Sequence, residues 1–340
     1  MYTLLSNAQA KQYIDAAQIH EGLLDAKLKA QDYAGGMHWK TVSGKEYLYR
    51  TLDRHGNAKS LGPRSPKTEQ ILSDFVRRKM SVSERLISFR ENSETNTRVN
   101  AALRLGAVPN EVADVCIALN DAHLMGKSIM VIGTNAMHAY EALAGVRFPS
   151  DIMATVDVDL LWNHKTKLCL GASQAVDQTG LLGVLQKADR SYTQDENNPY
   201  RARSKSGFMV DLIRQMPDPP WADEPDRFFE QDLIAADIKN ASWLLGAPRI
   251  TQPVVAVDGR TFMVTAPDPR AFAIYKLWLS TAGDREPYKR PRDLRQAQVL
   301  IELIEERLPH LNNWGEMHSF PDEVLGRAQA HVDRVRQQMK

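Results

Sequence analysis

Cysteine is almost absent from this chain: Cys116 and Cys169 are the only two among 340 residues. They lie in unlike contexts, so no disulfide framework is expected and a reducing, cytoplasmic location is predicted.

Long hydrophobic runs are also missing. Stretches such as Ser128–Ile132 fall far short of the ~18 apolar residues that a membrane span requires, so no membrane contact is expected. No basic segment followed by an apolar one opens the chain, so no secretory signal is expected. The 19 glycines and 17 prolines are too few for wholesale disorder.

Net charge is close to zero, because 43 Lys and Arg residues are balanced by 42 Asp and Glu residues. The charge is unevenly spread, however. Residues 40–90 hold twelve basic and five acidic side chains, a balance of +7 that the rest of the chain offsets with −6. A second basic cluster lies within residues 285–295. A single basic cluster is usually a solvated face. Two clusters on either side of an acidic middle region are better explained by a polyanion that lies across it.

The length suggests two domains with a smaller third part, and the patterning divides the chain into residues 1–108, 109–245 and 246–340. The first part is a basic module with helices over 7–32 and 67–104 and a β-hairpin over 39–51. The second alternates strands and helices, and the third is a hairpin followed by helices. The predicted strands of these two parts are 128–132, 155–162, 207–213, 251–258 and 261–265, and the predicted helices are 109–126, 135–143, 172–188, 269–282, 291–308 and 322–339.

Three polar elements lie on or directly after predicted strands of the middle part. Gly133-Thr134 follows one strand, Asp157 and Asp159 alternate with apolar residues on the next, and Asp211 lies in a third. Each element is weak evidence alone, since a β-to-α turn favours Gly-Thr and a D-x-D is usually a polar face. A lone Asp in an apolar strand is more informative, because charges are rarely buried unless they are paired or bound to a metal.

Together the three elements suit nucleotide chemistry. Side chains at positions i and i+2 project from the same strand face, about 6–7 Å apart. That separation suits two Mg²⁺ ions about 3.5–4 Å apart, with a third carboxylate from a neighbouring strand completing the site. Gly133 and Thr134 at a helix N-terminus offer backbone N–H groups, a hydroxyl and the positive end of the helix dipole to a triphosphate.

The run Val131–Ala136, then Arg147, then Ala154–Leu161 resembles the polymerase β-like nucleotidyltransferase superfamily. The nearest likeness is to its bacterial branch that includes the abortive-infection toxin nucleotidyltransferases. The resemblance implies an α/β (α+β) fold: a polymerase β-like core with a mixed sheet, an N-terminal helix and β-hairpin module, and a C-terminal helical region. It also implies the site residues. These are Asp157, Asp159 and Asp211 for catalysis and for Mg²⁺ or Mn²⁺, and Gly133, Thr134, Asn135 and Lys276 for the nucleotide.

The C-terminal part extends the resemblance. Ala273–Leu277 followed by Arg290–Leu294 looks like a helix pair that closes over the nucleotide in that branch, so Lys276 is expected to neutralise triphosphate charge. Two departures stand out. Thr134 replaces the usual Ser or Gly but keeps a hydroxyl, and the 24 residues from Gly133 to Asp157 imply an insertion that affects the alignment of Arg147.

The predicted function is metal-dependent transfer of NMP from an NTP to an acceptor hydroxyl, with an RNA end such as that of tRNA as the candidate acceptor. The aromatic residues Trp39, Tyr47 and Tyr49 leave two interpretations open: they stack nucleobases, or they form the core of the hairpin. The candidate nucleic-acid contacts are Lys40, Arg50, Arg64, Lys289, Arg290 and Arg292.

Two other functions compete with the transferase. One is a non-catalytic nucleic-acid-binding regulator or toxin–antitoxin component on the same fold, because fold alone does not fix function. Carboxylates kept at one site argue against it. The other is a D-x-D glycosyltransferase. It is disfavoured because the Gly-Thr element precedes the D-x-D and a third strand Asp follows it.

Overall fold

The computed structural model describes residues 2–52, 57–163, 180–220 and 232–339. The chain divides into two compact units. The smaller unit is Lys11–Leu103, and the larger unit combines Met1–Ala10 with Arg104–Lys340. Cys169 and the first part of the helix predicted over 172–188 lie outside the described residues. None of the described helices is long and apolar enough to cross a bilayer.

The smaller unit is built from two long helices and a three-stranded antiparallel sheet, whose strands β2 Met37–Val42, β3 Lys45–Thr51 and β4 Ala58–Pro63 are neighbours in that order. Ser43 and Gly44 both have positive φ, as the tight turn between β2 and β3 requires. The predicted hairpin and both predicted helices are confirmed, whereas β4 was not predicted because its polar sequence does not alternate. The elements up to residue 102 are β1 Thr3–Leu4, α1 Asn7–Asp32, β2 Met37–Val42, β3 Lys45–Thr51, β4 Ala58–Pro63 and α2 Pro66–Ala102.

The larger unit alternates strands and helices and then becomes mainly helical, which confirms the predicted α+β class. Its elements are α3 Asn110–Asp121, β5 Ile129–Ile132, a 3₁₀ turn Thr134–Ala136, α4 Met137–Ala144, β6 Val146–Arg147, α5 Ser150–Met153, β7 Asp157–Trp162, α6 Gly180–Ala188, β8 Thr193–Gln194, β9 Arg201–Arg203, β10 Met209–Gln215, β11 Ala236–Ile238, α7 Ala241–Gly246, β12 Arg249–Val255, β13 Thr261–Pro267, α8 Pro269–Thr281, α9 Arg290–Arg307 and α10 Asp322–Gln338.

The central sheet of this unit has the order β5–β7–β10–β9–β8, with β11 beside β10. Strand β7 is antiparallel to β5 and parallel to β10, and β10 is antiparallel to β9, so the sheet is mixed as predicted. The short strands β8, β9 and β11 were not predicted, because two or three residues are too few to show a period.

Strand β7 lies between β5 and β10, and its first residues alternate between a buried face and a more exposed face. Val158 and Leu160 are fully buried, whereas Asp157 and Asp159 on the other face are only half-buried. Val156 falls inside the strand predicted over 155–162, but it precedes the observed strand and is 67% exposed. The alternation therefore places both aspartates on one face of a strand whose other face belongs to the hydrophobic core.

Candidate active site

The three aspartates predicted from the sequence lie on the adjacent strands β7 and β10. In the parallel pair β7–β10, Asp159 is the register partner of Asp211, and Asp157 is that of Met209. Side chains at paired positions project from the same sheet face. The electrostatics agree with this proximity. Burial first, then the neighbouring Asp157 and Asp211, raise the pKa of Asp159 to about 7, although Lys276 and Arg285 act in the opposite direction.

Two of these carboxylates already have hydrogen-bonding partners. Arg201 donates from Nε and from a terminal nitrogen to the two oxygens of Asp211, at 2.7 and 2.6 Å. It lies on β9 directly opposite Asp211, and this hydrogen bonding raises the pKa of the Arg201 guanidinium. The Thr155 hydroxyl donates to Asp157. Arg201 was not predicted from the sequence, and the alternating Arg-Ala-Arg of residues 201–203 is the one local pattern that indicates it.

Gly133 allows the Asp159 carboxylate to approach the turn after β5. Its φ of 66° and ψ of −158° lie in a region that is essentially restricted to glycine. A Cβ at this position would be 2.1 Å from Oδ2 of Asp159. The turn and the carboxylate therefore pack so closely that no side chain fits at residue 133.

The residues after Gly133 connect this turn to its surroundings. The Asn135 side-chain amide donates to the backbone oxygen of Asp157 at 2.7 Å. Gln296 on α9 donates to the Ile152 carbonyl oxygen at 2.7 Å and to Thr134 Oγ1 at 3.2 Å. Because Thr134 Oγ1 accepts this bond, its own hydrogen can be donated elsewhere. Nucleotide contacts by Thr134 and Asn135 remain predictions. Gln296 was not predicted, since nothing in its local sequence distinguishes it.

Lys276 lies at the same end of the sheet, in a pair with a fully buried aspartate. Its Nζ donates to Oδ1 of Asp293 at 2.7 Å, and Nε of Arg285 donates to Oδ2 at 2.7 Å. Burial lowers the pKa of Lys276 below its ordinary value even though Asp293 acts in the opposite direction. Burial opposes the ionisation of Asp293, yet Lys276 and Arg285 keep its pKa below the usual range. One carboxylate thus fixes two cations.

Lys276 and Arg285 both line a cleft of about 360 Å³. Its polar lining includes Gly133, Asp159, Lys276 and Arg285 as well as Asp237, Lys239 and Asp284, and its apolar lining includes Tyr275, Trp278 and Leu279. This volume is at the lower end of the range of small-molecule sites. Cationic and aromatic side chains in one cleft suit a ligand that has a phosphate chain and a flat apolar group.

The candidate nucleic-acid contacts of the smaller unit differ in availability. Arg50 donates to the Asp32 carbonyl oxygen at 3.0 Å and stacks on a helix aromatic. Arg64 forms ion pairs with Glu46 and Glu69 at 2.7 and 2.8 Å. Lys40 is exposed and forms no ion pair with the described residues. The structure therefore separates one accessible cation from two that hold the unit together.

The three candidates of the larger unit also have local partners. Lys289 pairs with Glu286 at 2.6 Å, and Arg292 donates to the Ala154 carbonyl oxygen at 2.9 Å. Arg290 donates to the Gly283 carbonyl oxygen at 3.1 Å. Their contact with nucleic acid stays a prediction. Arg285, from the same basic cluster, instead lines the cleft.

The donor chemistry at the sheet end fits a divalent cation. Carboxylate oxygens are the ligands that Mg²⁺ prefers. A cation would offset both the burial and the carboxylate repulsion that raise the pKa of Asp159. In the structure as it stands, Asp211 is turned to Arg201, and among the described residues no three Asp, Glu, His or Cys side chains converge on one point. A metal that used Asp211 would therefore take the place of Arg201.

Fold and site together define a class: an α+β protein with acidic residues on adjacent strands, a glycine turn against one carboxylate, and a cationic cleft. A family model described as Nucleotidyltransferase matches residues 110–317, which is more than half of the chain. The chain belongs to this nucleotidyltransferase family. It is thereby a transferase, with nucleotidyl transfer as its class of reaction and an NTP as the class of substrate. No curated protein and no solved structure matches it.

Proposed function

We propose that the protein is a metal-dependent nucleotidyltransferase that moves NMP from an NTP to a hydroxyl at an RNA end, such as that of tRNA. The observation that carries this proposal is the register of Asp159 with Asp211 beside a glycine turn and a cationic cleft. The low cysteine content supports a cytoplasmic location for the reaction. The +7 balance of residues 40–90 supports a nucleic acid as the acceptor.

The cleft residues would divide the nucleotide between them. Lys276 and Arg285 would neutralise the triphosphate, and both are preorganised by Asp293. Trp278 and Tyr275 offer flat surfaces to the base. Thr134, the buried residue next to Gly133, would donate its hydroxyl hydrogen to a phosphate oxygen, because Gln296 already occupies its acceptor side.

Asp157, Asp159 and Asp211 would hold Mg²⁺ or Mn²⁺. When bound, the metal would neutralise phosphate charge and lower the pKa of the acceptor hydroxyl. In the transfer, the acceptor hydroxyl gives its proton to the solvent and its oxygen bonds to the α-phosphorus, while the bond to the α–β bridging oxygen breaks and pyrophosphate leaves. Asn135 contributes by fixing the backbone of Asp157, and hence the position of the carboxylates.

The Arg201–Asp211 pair favours a second candidate function. A carboxylate whose two oxygens both accept from arginine can be purely structural, in which case the chain would be a non-catalytic nucleic-acid-binding regulator or toxin–antitoxin component. The resemblance to the abortive-infection toxin branch supports either a toxin enzyme or such a component.

The test is the double variant Asp157→Asn/Asp159→Asn. Purified protein is incubated with each labelled NTP, Mg²⁺ or Mn²⁺ and total RNA, and labelled RNA and pyrophosphate are measured. We expect transfer by the wild type and a loss of about 10³-fold or more in the variant, because charge stabilisation at the phosphates is lost. Asp151→Asn, an exposed aspartate of the same unit, is the matched control and should retain full activity.

Absence of transfer by the wild type to RNA, protein and small hydroxyl compounds under every NTP and metal would reject the enzyme. Salt-sensitive RNA binding that is equal in the wild type and the double variant would then support the non-catalytic alternative.

A further inference from the structure

The three-stranded sheet of the smaller unit has two chemically different faces. Residues alternate between the faces, and the register pairs His38 with Tyr49, Lys40 with Tyr47, and Val42 with Lys45. Trp39 pairs with Leu48 on the opposite face. We call the first set the aromatic face, and it comprises His38, Lys40, Val42, Lys45, Tyr47 and Tyr49.

The opposite face is occupied by the unit's own packing. Leu48 is fully buried there. The Arg50 guanidinium lies 4.4 Å from the centroid of the Phe75 ring on α2, and that of Arg64 lies 5.2 Å from the Trp39 ring. Trp39 is therefore covered by an arginine, and of the three aromatics singled out in the sequence only the two tyrosines lie on the aromatic face.

Rings and a cation adjoin one another on the aromatic face. The His38 and Tyr49 rings are stacked, with centroids 6.4 Å apart and planes inclined by 22°. Lys40 Nζ lies 5.6 Å from the Tyr49 centroid. His38 and Lys40 are exposed and both tyrosines are half-buried, so ring surface and charge are both accessible in this unit.

The charge of this face has one sign. Glu46 is the only acidic residue in β2, β3 and β4, and it lies on the opposite face, where it pairs with Arg64 at 2.7 Å. The aromatic face thus combines Lys40 and Lys45 with three rings and has no carboxylate from its own strands. Its partner should be a polyanion that also carries flat apolar groups.

We propose that the aromatic face binds single-stranded nucleic acid, with unpaired bases stacked on Tyr47, Tyr49 and His38 and phosphates contacted by Lys40 and Lys45. Stacking on exposed aromatics is the usual way in which a sheet face holds a single strand. Tyr47 and Tyr49 are two residues apart, about 7 Å along the strand, which is close to the length of one extended nucleotide. A duplex keeps its bases stacked internally and cannot use these rings.

The inference rests on the proposed function only where it takes the bound strand to be the acceptor. Binding itself needs neither NTP nor metal, and the residues involved all belong to the smaller unit. If Asp157→Asn/Asp159→Asn still binds the single strand, binding can be tested independently of transfer. A failure of the proposed transferase would then not be a failure of this inference.

The experiment measures fluorescence anisotropy of labelled oligouridine and oligothymidine of about ten nucleotides, a typical site size, with the full-length chain over a series of salt concentrations. Tyr49→Leu should weaken binding about ten-fold, and Tyr49→Phe should retain it, because the ring and not the hydroxyl stacks. Lys40→Gln should lower the slope of log K against log salt by about 0.7, the value for one phosphate contact on a single strand. Comparing the two oligomers tells RNA from DNA.

Lys59→Gln is the matched control. Lys59 lies in the same sheet opposite Arg50, on the face turned to α2, and is exposed. It should leave affinity and salt slope unchanged. The inference is overturned if the wild type binds neither oligomer, if a duplex of the same length binds as tightly, if Tyr49→Leu and Tyr49→Phe behave alike, or if Lys40→Gln and Lys59→Gln do.

Discussion

The two units of this protein carry charge in opposite ways. In the larger unit the charges are largely buried and paired: Arg201 with Asp211, and Lys276 and Arg285 with Asp293. On the aromatic face of the smaller unit the charges are exposed and of one sign.

The difference follows from solvation. A desolvated charge is costly unless it is paired, whereas an exposed one costs little and gains little from a partner. Paired, buried charges are held in fixed positions, as chemistry on a phosphate requires. Exposed cations stay free to meet a ligand that can vary in conformation. Substitution of the buried, paired charges of the larger unit should therefore affect stability and activity differently from substitution of the exposed charges of the smaller unit.

Among single substitutions, Gly133→Ala should have the largest effect, because it acts on the carboxylates through the backbone. The substitution forces alanine into a conformation that is nearly restricted to glycine, at a cost of about 2–3 kcal/mol. Its Cβ also displaces the Asp159 carboxylate, so transfer should fall by about 100-fold, the effect of losing one electrostatic contact to the reacting phosphate. Thermal unfolding and the initial rate of transfer measure the two effects.

Gly145→Ala is the control for backbone strain. Gly145 also has positive φ, at 68°, but an added Cβ there would meet nothing within 4 Å. It should cost about 1–2 kcal/mol of stability and leave the rate of transfer unchanged. Equal losses of activity in the two variants would show that strain, and not the approach to Asp159, controls the site.

Lys276→Met tests the buried pair of the larger unit. It leaves Asp293 fully buried and still paired with Arg285, so we expect a loss of about 2 kcal/mol, below the 3–5 kcal/mol of a completely broken buried pair. Lys40→Met on the aromatic face removes an exposed cation and should cost less than about 1 kcal/mol. Denaturant unfolding of both variants measures the loss of unfolding free energy. Equal losses would contradict the expected difference between the buried and the exposed cation.

Much of the fold could be predicted from periodicity alone. The helix over 7–32, the hairpin around residues 43–44 and the alternation of Asp157 and Asp159 all depend on local repeats, and the structure contains each of them. The turn at Gly133 could also be predicted, because this glycine comes directly after the run of apolar residues that forms the buried strand β5.

What the sequence could not supply depends on distant contacts. Lys276 and Asp293 are 17 residues apart and Arg201 and Asp211 are 10 residues apart, with no periodic pattern joining them. Alternation likewise predicts that Tyr47 and Tyr49 share a face. It cannot tell which face α2 covers, so both interpretations of Trp39 and the tyrosines stayed open until the packing was known.

Arg201→Met should have a smaller effect that depends on the medium. Without its partner the buried Asp211 is destabilising in a metal-free buffer, and a divalent cation can then bind it without displacing an arginine. At ten times its Kd, Mg²⁺ stabilises a protein by about 1.4 kcal/mol. We therefore expect Mg²⁺ to raise the unfolding free energy of Arg201→Met by about this amount more than that of the wild type.

Arg203→Met is the matched control, since Arg203 lies two residues along β9 and pairs with Asp195 at 3.0 Å rather than with Asp211. Its response to Mg²⁺ should equal that of the wild type. If Arg201→Met also responds like the wild type, Asp211 takes no part in metal binding and its pair with Arg201 is structural. The charges of the two units would then differ only in burial, and this result would support the non-catalytic alternative. A selective response of Arg201→Met would instead show that the arginine occupies a cation site, because only there does removing a positive charge create affinity for another.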